Sequence, residues 1–69
     1  MKTTKRQNAI LSGVNNAVDT VIVDKAMTAD EAYRMLDSFV QDGMNSHGLD
    51  DVLTAKDRKY ARDLWPLSF

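Results

Sequence analysis

With 69 residues, of which 43% are apolar and 28% charged, the chain is too rich in core-forming side chains to be disordered and too short for more than one domain. A net charge of −1 excludes both a polycation that holds nucleic acid by bulk attraction and a polyanion that imitates it. The absence of cysteine removes disulfides and thiolate metal sites, and no apolar run approaches the roughly 18 residues that a membrane span needs.

The first predicted element is a helix over residues 5–26. At about 100° per residue, Ile10, Leu11, Val14, Ala17, Val18, Val21, Ile22 and Ala26 fall within one half of the cylinder. Asn8, Ser12, Asn15, Asn16, Asp19 and Asp24 fall mostly opposite. A face that broad suits a helix with two neighbours. The β-branched residues between positions 18 and 23 favour a strand, but no other segment offers a partner strand, and helix is the expectation throughout. Gly13 costs about 1 kcal/mol relative to alanine inside a helix, a cost expected where a neighbouring backbone comes close.

The second helix, over residues 29–42, carries the clearest signal. Thr28-Ala29-Asp30-Glu31 is a capping box, with Met27 and Ala32 placed as a hydrophobic staple and two acidic residues at the positive end of the dipole. Ala32, Met35, Leu36, Phe39 and Val40 form one stripe, and Gly43 reads as the residue just past the helix end. Residues 43–48, rich in Asn, Ser, His and Gly, read as a loop. A short helical turn is expected at 49–53, feeding Leu49, Val52 and Leu53 to the core. Thr54-Ala55-Lys56-Asp57 repeats the helix-start pattern, with Asp in the place of Glu. The third helix covers residues 55–65, with Tyr60, Ala61, Leu64 and Trp65 on one face, and stops before Pro66. The expected fold is all-α, a single-domain three-helix bundle with an apolar tail at 66–69.

Few residues point to chemistry. His47 is the one side chain that titrates near neutrality without perturbation, and it lies in a polar loop, where a solvated or loop-capping role is the simpler reading. The serines lack the turn signature of an activated nucleophile. A calcium loop beginning at Asp42 fails, because its third, sixth and twelfth positions are Met44, His47 and Leu53. No enzymatic activity, metal or cofactor is therefore expected.

Two surfaces remain. Lys2, Lys5 and Arg6 make a basic N-terminus and Lys56, Arg58, Lys59 and Arg62 load the third helix, where Lys56, Lys59 and Arg62 recur every three residues as a candidate track for a phosphate backbone. Against it stand Asp57 and Asp63 within the same helix, and a connection longer than the three or four residues of a helix-turn-helix. A solvated charged face is the simpler reading. The other surface is Trp65-Pro66-Leu67-Ser68-Phe69, which either folds back to seal the core or acts as an anchor on a partner. Tyr33 and Val40 border the second helix's stripe and would extend it.

A core this small usually needs a staple, and without disulfide or metal the remaining options are tight helix packing or a second copy of the chain, as in a homodimer. The N-terminal Met1-Lys2-Thr3-Thr4-Lys5-Arg6 is basic like a signal peptide, but polar residues break the apolar stretch that follows. A complete, cytoplasmic small protein is the expectation. The leading functional expectation is a non-enzymatic protein-interaction module, of the kind bacteriophages and mobile elements use as accessory proteins. It would contact another protein through Tyr33, Trp65, Leu67 and Phe69. The alternatives are a small DNA-binding regulator using Lys56, Lys59 and Arg62, and a structural subunit of an assembly.

Overall fold

Threonines start three of the four helices found among the residues described by the structure, a computed structural model covering residues 3–66. Thr4 caps α1 (Lys5–Ile22), Thr28 caps α2 (Ala29–Arg34) and Thr54 caps α4 (Ala55–Leu64). In each, the hydroxyl accepts the backbone N–H three residues on. The side chain there, Gln7, Glu31 or Asp57, accepts the threonine N–H in return. The remaining helix, α3 (Leu36–Ser46), has no side-chain cap, because it continues from α2 through a single non-helical residue.

That residue is Met35, at φ −98° and ψ 9°. Its N–H is shared between the carbonyls of Glu31 and Ala32, both at 3.1 Å. The turn tightens locally and the axis changes direction. The single helix expected over 29–42 is thus two helices. Ala32 and Leu36 stay fully buried on either side of the break, whereas Met35, expected in the core stripe, is 47% exposed.

Two further corrections follow from where helices end. Gly43 does not terminate a helix; it lies inside α3, which runs on to Ser46. Termination falls to Gly48, at φ 78°. The Gly48 N–H bonds to the Asn45 carbonyl at 3.0 Å and the Leu49 N–H to that of Met44 at 2.9 Å. This is a Schellman motif, with Leu49 folding back onto the core. The first helix stops at Ile22 rather than 26. The N–H groups of Val23 and Asp24 both bond to the Asp19 carbonyl at 2.9 Å. Lys25 then adopts the left-handed region at φ 52° to redirect the chain into α2. Residues 49–53 form no helical turn. Leu53 is buried as expected, but Val52 is 79% exposed.

The core is built where α1 crosses α3. A Cβ on Gly13 would lie 2.5 Å from the Phe39 carbonyl oxygen and 2.6 Å from the Val40 Cα; one on Gly43 would lie 2.7 Å from the Ala9 carbonyl oxygen. The two glycines let the backbones touch, as the expectation for Gly13 required. Ile10, Val14, Leu36, Val40 and Met44 interlock around that crossing, with Ala9 and Ala17 closing the gaps. Helix α4 covers the α1–α3 pair with Ala61, and half-buried Tyr60, Leu64 and Trp65 pack at its edge. The described residues hold no helix long and apolar enough to cross a membrane.

Candidate functional site

Tyr33 lies two residues before the break at Met35, and the tertiary fold brings it to Trp65 at the end of α4. Their ring centroids lie 6.1 Å apart with planes tilted by 56°, an arrangement favoured by the ring quadrupoles. Tyr33 remains 40% exposed and Trp65 is half-buried. Ile22 and Val23, where α1 gives way to the α2 connection, are also exposed. One end of the bundle thus presents Tyr33, Met35 and Trp65 together with the apolar end of α1. Of the four residues expected to bind a partner, the structure unites Tyr33 and Trp65; Leu67 and Phe69 lie outside the described residues. Val40, which was expected to border this surface, is instead fully buried against Gly13.

The basic track on α4 is divided. A spacing of three retreats around a helix by about 60° at each step, so Lys56, Lys59 and Arg62 drift from one neighbour to the other. Arg62 reaches Asp37 on α3 at 3.7 Å, and Arg58 meets the same carboxylate at 3.3 Å. Asp37 Oδ1 is buried without a hydrogen bond, and these cations supply its compensation. Lys59 pairs with Asp63 at 2.9 Å. Lys56 has no ion-pair partner among the described residues.

Arg6, counted in the sequence among the cations of a basic N-terminus, is a clamp between α1 and α4. Its Nε and Nη donate to the two oxygens of Asp57 at 3.0 and 2.6 Å, and its other Nη donates to Asp51 at 2.9 Å. Asp57 is 5% exposed and also accepts the Thr54 N–H at 2.9 Å. The Arg6 hydrogen bonds, outweighing desolvation, hold the Asp57 carboxyl well below the usual carboxylate range; the same bonds push the guanidinium higher still. Sequence patterning offered only Asp57's capping position as a hint, because its partner lies on a different helix.

Beside this clamp, α1 and α4 enclose a half-open cleft of about 430 Å³. Tyr60 and the buried Ile10 are its apolar lining residues, beside Gln7, Lys56, Lys59 and Asp63. His47 donates its Nδ1–H to the Gly43 carbonyl at 2.9 Å, within its own helix end. Among the described residues, no group of three His, Asp or Glu side chains converges on a point that would hold a metal ion. Comparison with family models, characterised proteins and solved structures finds no match to the chain.

Proposed function

We propose that the chain is a non-enzymatic protein-interaction module that docks on a larger protein through its aromatic end and modulates or blocks it. The observation that carries this reading is the Tyr33–Trp65 pair. Two aromatic rings from distant parts of the sequence meet at a surface that also exposes Met35. Aromatic side chains dominate binding hot spots because they cover much area at little conformational cost. An exposed apolar cluster at one end of so small a body is unusual unless something covers it. Bacteriophage and mobile-element accessory proteins are chains of this type, and we place this one among them.

The test compares two baits in the same lysate, the wild type and a Tyr33→Ala/Trp65→Ala variant, with helicity measured by circular dichroism. Proteins retained by the wild type are expected to disappear from the variant, since loss of two hot-spot rings weakens binding by roughly 30-fold or more. Equal retention by both baits, with helicity unchanged, overturns the reading. Binding to random duplex DNA that falls steeply with salt, and is lost in a Lys56→Gln/Lys59→Gln variant, replaces it with the nucleic-acid alternative.

A further inference from the structure

We infer that the partner docks through an acidic segment, in which carboxylates stand beside a large apolar side chain, and that Arg58 and Arg62 receive those carboxylates. The inference rests on the docking reading above and adds the chemistry of the partner. Its first ground is a strip that leads from the aromatic pair along α4. Arg58, Arg62 and Trp65 stand at i, i+4 and i+7, which places them on one face of the helix. Across the seam, Asp37 of α3 faces both arginines and Tyr33 of α2 meets Trp65. The Arg58 and Arg62 side chains are 46% and 42% exposed, so a partner that covers the rings reaches the guanidinium groups as well.

Charge is the second ground, because two guanidinium groups share one carboxylate. Arg58 lies 3.3 Å from Asp37 Oδ2 and Arg62 3.7 Å from Oδ1. Neither contact is a hydrogen bond, and the buried Oδ1 has no donor among the described residues. The planar donor forks of both arginines, which match a carboxylate in shape, are therefore unspent. The other ionised groups of α2 and α4 near the strip are paired or turned away. Asp30 pairs with Arg34 and Lys59 with Asp63, while Glu31 folds back on the Thr28 cap. One positive charge is left over among the groups that face the strip, next to two aromatic rings. A nucleic-acid backbone is held by many cations acting together, and one surplus charge beside the repelling Asp37 is too little. A protein segment with one or two carboxylates beside an apolar side chain matches both halves of the strip.

Successive residues of the strip rise about 6 and 4.5 Å along α4, and alternate side chains of an extended peptide stand about 6.7 Å apart. The probe is therefore acetyl-Glu-Ser-Glu-Ser-Trp-amide, titrated by NMR into the ¹⁵N-labelled protein beside a counterpart with Gln in place of both Glu. Saturable shifts are expected at the side-chain Nε–H groups of Arg58 and Arg62 and at the indole N–H of Trp65. The Gln peptide is expected to bind roughly fivefold more weakly, a comparison that needs no variant. Arg58→Gln/Arg62→Gln is expected to lose a similar factor, with Lys56→Gln/Lys59→Gln as the unaffected control of equal charge change. Asp37→Asn, which removes the competing carboxylate, is expected to bind the Glu peptide roughly threefold more tightly. Equal affinity for the two peptides overturns the inference, as does absence of saturation at about 5 mM. Displacement of the Glu peptide by random duplex DNA also overturns it, and so do shifts of the strip on dilution of the free protein, which would mark an interface between copies. Loss of lysate proteins from the Tyr33→Ala/Trp65→Ala bait, together with equal affinity for the two peptides, sinks this inference alone. Retention by that bait sinks the docking reading.

Discussion

Gly13 and Gly43 are unfavourable for their own helices and required by the pair. Alanine at either place would gain about 1 kcal/mol in helix propensity, yet its Cβ would press on backbone atoms that cannot rotate away. The helices would have to separate, loosening Ile10, Val14 and Val40 at once. Gly13→Ala and Gly43→Ala are therefore each expected to lower stability by about 1–3 kcal/mol, against the sign of propensity. The urea midpoint checks this, and a rise in midpoint for either variant contradicts the close crossing. The need at Gly13 was legible, because glycine inside an otherwise regular helix has few other reasons to be there. Gly43 was misread as a helix end because a helix-terminal glycine and a crossing glycine look alike in one dimension. Only the position of Ala9 and Gly13 opposite it distinguishes them.

Among the elements, α4 depends most on a contact between helices. Asp57 closes its capping box and receives the Arg6 guanidinium, so one carboxylate both starts the helix and docks it on α1. Because its folded-state pKa is depressed below the ordinary 3.8, the stabilisation is complete above that value and drains away as the pH falls below it. Acid titration of the wild type by circular dichroism should show stability falling from about pH 4 downward. Asp57→Asn is expected to be about 1–3 kcal/mol less stable at pH 7 and to fall less steeply in acid. Identical acid profiles for the two proteins would show that the clamp carries no proton-linked stability. The capping role could be read from Thr54 and Asp57 alone. The box on α1, Thr4 with Gln7, has the same spacing but was missed in the sequence. The pairing with Arg6 was not readable, because a charge spacing within one helix says nothing about which charges a second helix brings.

For the molecule as a whole, stability rests on a handful of side chains around one crossing. A chain of this length is held by roughly 3–10 kcal/mol in total, and truncating a buried leucine costs about 2–5 kcal/mol. Leu36, fully buried where α3 begins against α1, is the test. Leu36→Ala is expected to leave a measurable unfolded fraction at 25 °C by circular dichroism, and full retention of the wild-type urea midpoint would contradict the placement of the core. Along α4 the residues from Thr54 to Asp63 border α1 at the cleft, and Trp65 at the C-terminal end meets Tyr33. By itself the amino-acid sequence determined the helical class, the starts of α2 and α4 and most of the buried positions, because capping boxes and apolar periodicity act within one or two turns of chain. The tertiary structure alone decided the break at Met35, the interior place of Gly43, the exposure of Val52, the splitting of the α4 cations and the meeting of Tyr33 with Trp65. The place of Gly43, the splitting of the cations and the aromatic contact depend on atoms from another helix, which local spacing along the chain does not encode.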